Sequence, residues 1–232
     1  MKQLFAEKSG IVVGRSSKSL AIIAVGLLST GLFASRASAT TIYTLGVGQG
    51  NNSPSATGYP VGGTLVSSYT NPFTASSGGL TIQGTVTSDV ISGDTSNPYG
   101  GYTFEYLLTL TGVNDVVGGM SAIGFAGFQT DVSYNPNMLV GGIAPSSFSR
   151  SSAINNGTTL TFVWSPNISP GQSGDWIIVQ TDAHNFGLGT GNVMDGEGTG
   201  ISVLTPVPEP QIASLAVMGL GALFLFRRRN SK

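Results

Sequence analysis

The sequence contains no cysteine and a single histidine, His184. Without thiols there is no disulfide, no thiolate metal site and no cysteine nucleophile, and one imidazole cannot build a histidine-rich zinc site. Positive charge is missing from the middle of the chain. Lys2, Lys8, Arg15, Lys18 and Arg36 precede residue 40, and Arg227, Arg228, Arg229 and Lys232 follow residue 206. Between them Arg150 stands alone against Asp89, Asp94, Glu105, Asp115, Asp131, Asp175, Asp182, Asp195 and Glu197, a net charge of −8. A nucleic acid backbone needs clustered Lys and Arg, so nucleic acid is excluded as a partner, and an anionic membrane surface repels this region. Helical periodicity is also absent from residues 40–206. That stretch has the length of one domain, and a domain of about 150 residues buries roughly 68–70% of its unfolded surface, enough to do without disulfides.

Both ends carry the marks of sorting segments. Residues 1–39 begin with basic positions, continue through the apolar run Leu20 to Phe33 and end on Ala37-Ser38-Ala39, the order of a secretory signal peptide. Signal peptidase is expected to cut after Ala39, with Ala37 and Ala39 as the small residues it reads. The apolar run is about 21 Å long as a helix, short of a bilayer core of about 30 Å, which favours a cleaved signal over an anchor.

Residues 207–232 contain Val207-Pro208-Glu209-Pro210, an apolar run from Ile212 to Phe226, then Arg227-Arg228-Arg229. Pro208 and Pro210 cannot extend a helix back toward the domain, so an exposed, extended stem precedes the span. The arginines set a transmembrane helix with its C-terminus in the cytoplasm. Pro208-Glu209-Pro210, the apolar helix and Arg227 to Arg229, in that order at the C-terminus, resemble the PEP-CTERM sorting signal of Gram-negative bacteria. The resemblance implies recognition by an exosortase, a membrane transpeptidase-like enzyme of organisms that export polysaccharide. The segment from Trp176 to Ala183, the glycine-rich loop after it and the strand running into the tail are similar to the last strands of exported PEP-CTERM β-domains. An ordinary single-span tail anchor is the alternative.

The middle reads as strands. Leu80, Ile82, Val86 and Val90 alternate with Thr81, Gln83, Thr85, Thr87 and Asp89; Tyr102, Phe104, Tyr106, Leu108 and Leu110 alternate with Thr103, Glu105, Thr109 and Thr111. Period two marks half-buried strands, with the first set of each on the core side and the second in water. Further strands are expected at Ile42 to Val47, Thr64 to Tyr69, Ile123 to Tyr134, Leu160 to Trp164, Trp176 to Thr181 and Ile201 to Leu204. Asn97-Pro98, Gly100-Gly101, Gly118-Gly119, Asn135-Pro136, Gly141-Gly142, Asn156-Gly157 and Pro170-Gly171 read as turns, and residues 48–63 as a loop. The expected fold is all-β: a single sandwich over residues 40–206, jelly-roll or immunoglobulin-like, flanked by a signal helix and a transmembrane helix.

The candidate chemistry is sparse. Gly171-Gln172-Ser173-Gly174-Asp175 with His184 suggests a serine hydrolase, but no Gly-x-Ser-x-Gly elbow is present and the segment suits a turn. Asp195 and Glu197, in a glycine-rich stretch, are the candidate ligands for a weak calcium site, which Asp182 could join if the fold brought it close. Their spacing matches no EF-hand or tandem calcium repeat. Trp164 and Trp176 are expected in the core, leaving Tyr59, Tyr69 and Tyr99 as positions that could stack on a sugar. The paired carboxylates of a glycosidase are not indicated by Glu105, Asp115 and Asp131.

These observations favour a non-enzymatic protein without a cofactor, exported through an inner-membrane intermediate to the cell surface or extracellular matrix. The expected role is structural or adhesive in a matrix or biofilm. The alternative is a carbohydrate-binding module for exported polysaccharide, assisted by calcium.

Overall fold

The computed structural model describes residues 45–208 apart from 52, 78, 153–156, 196 and 197. Among these, every regular element is a strand: β1 (Gly50–Asn51), β2 (Thr64–Ser77), β3 (Leu80–Ser92), β4 (Thr103–Val113), β5 (Val117–Ile123), β6 (Thr130–Asn135), β7 (Ser147–Arg150), β8 (Thr159–Ile168), β9 (Trp176–Thr181), β10 (Phe186–Met194) and β11 (Gly198–Pro206). They form two antiparallel sheets, one ordered β2-β3-β4-β9-β6 and the other β1-β7-β8-β5-β10-β11. The expected signal and transmembrane helices lie outside the described residues. No described helix is long and apolar enough to cross a membrane.

One core lies between the sheets, and alternation determines which residues enter it. Ile82, Val86 and Val90 of β3 and Phe104, Tyr106, Leu108 and Leu110 of β4 point into it, facing Met120, Phe148, Leu160, Phe162 and Trp164 of the other sheet. Aromatic rings meet edge-on, with Phe148 and Phe162 at 5.7 Å and 88° and Phe104 and Phe125 at 6.0 Å and 79°. Such pairs add about 0.5–1.5 kcal/mol to the area they bury. Leu80, expected inward, is 44% exposed, because it starts β3 beside the hairpin turn, beyond the cover of the opposite sheet. Trp164 is buried as expected, with Gly174 leaving room for its indole, whose Nε1 donates to the Ile143 carbonyl at 3.0 Å. Trp176 is only half-buried, since it opens β9 at the sheet margin.

Strand limits differ from expectation where glycine hides the pattern. Gly187, Gly189 and Gly191 fall inside β10, in a stretch expected as a loop. A Cβ on Gly191 would collide with the Ser121 carbonyl, and one on Gly189 with the Thr205 hydroxyl. Glycine at the inward positions therefore lets β10 sit between β5 and β11. Gly118-Gly119, expected as a turn, lies inside β5. Ile123 to Tyr134 is not one strand: β5 ends at Ile123 and β6 starts at Thr130. Gly124 (φ 136°) and Gly127 (φ 83°) carry the chain between them. Of the strand expected at Ile42 to Val47, the described part, residues 45–47, is not a strand.

Sheet edges are protected. Pro72 lies within β2, at the edge of its sheet, where a missing N–H costs no ladder bond. The edge strand β11 is closed by side chains of the other sheet. The Ser202 N–H donates to Asn71 Oδ1 (2.7 Å), the Leu204 N–H to Ser88 Oγ (3.0 Å), and the Tyr106 hydroxyl to the Leu204 carbonyl (2.7 Å). These bonds satisfy backbone groups that would otherwise template pairing with another chain.

Candidate functional site

The serine hydrolase set is not assembled. Ser173 precedes β9 and His184 follows it, so a six-residue strand of about 20 Å separates them. The Ser173 hydroxyl instead pairs with Thr109 Oγ1 at 2.8 Å, Asp175 is buried with its carboxyl pushed up by burial, and His184 is exposed.

Asp195 lines a shallow groove of about 350 Å³ with Gly118, Gly119, Val163, Asn167 and Met194. The paired glycines of β5 create it: a Cβ on Gly119 would meet Met194 Cε at 2.9 Å, and one on Gly118 would meet Asn167 Oδ1 at 3.4 Å. Glu197 lies outside the described residues. Asp182 does not join Asp195, for the nine-residue β10, about 30 Å long, separates their ends of the sheet. Asp182 accepts the Gln129 N–H at 2.9 Å instead. Among the described residues no three acidic or imidazole side chains form a metal-binding group. Tyr59 and Tyr99 are half-buried, and Tyr69 packs against the core.

The most unusual chemistry is on the outer face of the first sheet, where Thr103 and Glu105 were expected in water. They are 0% and 2% exposed. Asp89 of β3 stands directly opposite Glu105 of β4, followed across the sheet by Ile178 of β9 and Ser133 of β6. Asp89 Oδ1 and Glu105 Oε1 are buried without a hydrogen-bond partner among the described residues. Burial, then the charges of Asp89 and Asp94, raise the Glu105 carboxyl to about 7. Asp94 has the opposite environment. It accepts bonds from the Val61 N–H (3.0 Å), the Ser96 N–H (2.9 Å) and hydroxyl, the Thr103 hydroxyl (2.7 Å) and the Gln180 amide (2.9 Å). Burial pushes its carboxyl up, but these donors outweigh it and hold the group below its ordinary value.

Arg150 carries the only Lys or Arg side chain of residues 40–206, and it is 5% exposed. Its Nε donates to the Gly157 carbonyl (2.7 Å), Nη1 to the Leu45 carbonyl (3.3 Å) and Thr130 Oγ1 (3.0 Å), and Nη2 to the carbonyls of Phe125 (2.6 Å) and Phe128 (2.9 Å). Its planar fork ties together three loops that have no strand ladder to hold them. A lone arginine in an acidic, exported region was the available sequence signal for an interior position. Nothing in the alternation pointed to the burial of Glu105, which depends on chain distant in sequence.

The tail leaves the domain without a spacer. β11 ends at Pro206, the Val207 N–H donates to the Asn185 carbonyl at 3.1 Å, and Pro208 is exposed. Ala37, Ala39, Glu209, Pro210, Arg227, Arg228 and Arg229 lie outside the described residues. No curated protein and no solved structure matches the chain. A family model described as the PEP-CTERM protein-sorting motif matches residues 206–230, so the last strand runs directly into an exosortase-type sorting signal that marks the chain for export and membrane-associated sorting.

Proposed function

We propose that the protein is a structural or adhesive component of the extracellular matrix, a β-sandwich presented outside the cell by its sorting tail, with no catalytic role. The burial of Arg150 carries this reading. It removes the one guanidinium of residues 40–206 from the surface and leaves carboxylates, amides and hydroxyls outside. Hydroxyl pairs such as Thr70 with Thr87 (3.0 Å) and Ser76 with Thr81 (2.9 Å) lie on exposed faces of β2 and β3. A surface of this kind stays hydrated and soluble beside acidic polymer. The test is deletion in the native host followed by complementation. Loss of matrix cohesion with no change in polymer turnover supports the proposal; altered turnover with intact cohesion overturns it.

The groove at Asn167 and Asp195 favours a second reading, a carbohydrate-binding module. An amide and a carboxylate beside the apolar walls of Val163 and Met194 match the mixed polarity of a sugar ring. A glycan that binds the native state raises its melting temperature, so a glycan panel decides this reading. A shift with one glycan, abolished by Asn167→Ala, supports it, and no shift across the panel rejects it.

A further inference from the structure

Residues 55–61 cross the outer face of the first sheet. On the β6 side, the Tyr134 N–H donates to the Ser55 carbonyl (3.2 Å), the Thr57 N–H to the Tyr134 carbonyl (2.8 Å), and Asn135 Nδ2 to the Tyr59 carbonyl (2.6 Å). The Thr57 and Ser133 hydroxyls pair at 3.1 Å. On the far side the Val61 N–H is held by Asp94, and the Val61 carbonyl accepts the Thr95 N–H (3.0 Å) and hydroxyl (2.8 Å). Asp94 itself hangs over β4 and β9 through Thr103 and Gln180. The path between the two anchors therefore passes over β9 and β4, where Ile178 and Glu105 are buried.

We propose that residues 55–61 are a proton-operated strap, held across the sheet while Glu105 carries a proton and released when Glu105 ionises. The charges that act on Glu105 are acidic, Asp89 opposite it on β3 and Asp94 from the loop after β3, with Asp131 two strands away on β6, opposite Gln180; the strap carries Tyr59 as its one titratable residue. Arg150 is committed to the carbonyls of Leu45, Phe125, Phe128 and Gly157. A proton on Glu105 supplies the donor that the facing orphan oxygens of Asp89 and Glu105 both lack. Its loss puts two like charges directly opposite each other in a water-poor layer, and that arrangement is relieved by admitting water, which requires the strap to lift. The carboxyl titrates near neutrality, so the change falls between mildly acidic and mildly alkaline surroundings.

The test is amide exchange on the exported protein, read as protection factors for the Thr57, Val61 and Thr95 N–H groups at about pH 5.5 and about pH 8.5, with the Tyr102 N–H as a core reference. Strap protection should fall by about tenfold or more relative to Tyr102 on going to the higher pH, since one unit past the carboxyl's midpoint is a factor of ten. Glu105→Gln should keep the strap protected at both values. Asp89→Asn, which removes the facing charge and places an amide donor opposite Glu105, should likewise keep the strap protected at the higher pH, whereas general destabilisation would lower protection. A flat wild-type profile, or strap release at about pH 8.5 that persists in Asp89→Asn, overturns the proposal.

Discussion

Asp89 and Glu105 face each other across β3 and β4, and each presents a buried carboxylate oxygen with no hydrogen-bond partner among the described residues. The pair makes stability depend on pH in a definite direction. Glu105 titrates at about 7 in the folded protein against 4.5 ordinarily, so between these values the folded state binds the proton and the unfolded state does not. Its stabilising contribution is complete below about pH 4.5 and is lost as pH rises through about 7, a change of about 3 kcal/mol. Burial raises Asp175 as well, which adds in the same direction. Asp94, held low by its donors, works oppositely: its contribution is present above its unfolded value and is lost as pH falls through its lower folded value. Stability should therefore peak near pH 4–5, with a melting temperature on the order of 10 °C lower at pH 8 than at the peak. Calorimetry across pH checks this, and Glu105→Gln should remove most of the alkaline loss.

Arg150 is the one trypsin site within residues 40–206, and it is buried with all of its hydrogen bonds satisfied by neutral oxygens. Trypsin should trim the folded chain only at its terminal Lys and Arg clusters, and a cut after Arg150 should appear only on unfolding. Mass spectrometry of timed digests checks this. Arg150→Ala should cost about 3 kcal/mol or more, because the Gly157 and Phe128 carbonyls lose the donor the guanidinium gives them, at about 1–3 kcal/mol each, and a buried side chain leaves a void. Arg150→Lys should recover little of that, since one ammonium cannot reach acceptors placed around a planar fork. Arg150→Lys, which keeps a trypsin site at the position, should be cut there in proportion to its loss of stability, and the loss in Arg150→Ala, which has no such site, is read by urea denaturation.

Gly191→Ala and Gly200→Ala separate glycines that the fold requires from those it tolerates. The first places a methyl against the Ser121 backbone carbonyl, which cannot move aside without disturbing the β5–β10 ladder. It should cost about 1–3 kcal/mol. The second has open space and an ordinary strand conformation, so it should be neutral or stabilising by up to about 1 kcal/mol. Urea denaturation of the two variants in parallel gives the comparison. Equal costs would mean that β10 is not seated against β5 as described.

The same contrast explains what was legible in the sequence. β3 and β4 show their apolar positions openly, and most of their inward residues were recognisable from alternation, while β9 was recognisable as a strand from the continuous apolar run Trp176 to Val179. In β10 the alternation is present, but glycine occupies the inward positions, so a hydrophobicity pattern cannot register it. β7 has one apolar residue, Phe148, and its pairing to β8 is what makes it a strand. The burial of Glu105 and Asp94 was out of reach for a different reason. Alternation assigns a face, but it does not say whether that face meets water, and here residues 55–61 return across it from far along the chain. The groove at Asp195 came half into view: the residue was a candidate, but its partners Gly118, Gly119 and Asn167 come from other strands and loops.

The junction of β11 with the sorting motif yields the last prediction. The last backbone hydrogen bond recorded for the domain is at Val207, and Pro208, the first residue of the Pro-Glu-Pro element, is already exposed. The matched motif starts at Pro206, inside the final strand, so the folded domain and the sorting signal share that residue. Replacing Pro208, Glu209 and Pro210 with alanine leaves β11 and its bonds to Asn71, Ser88 and Tyr106 intact, so the domain should fold normally. Intact mass and fractionation from the native host then isolate sorting from folding. The native protein should have lost residues 1–39 and the Arg227 to Arg229 end. The variant should lose the first and keep the second, accumulating in the inner membrane. If both forms retain the arginines and share a membrane fraction, the tail acts as an anchor alone, and the matrix role proposed here fails with it.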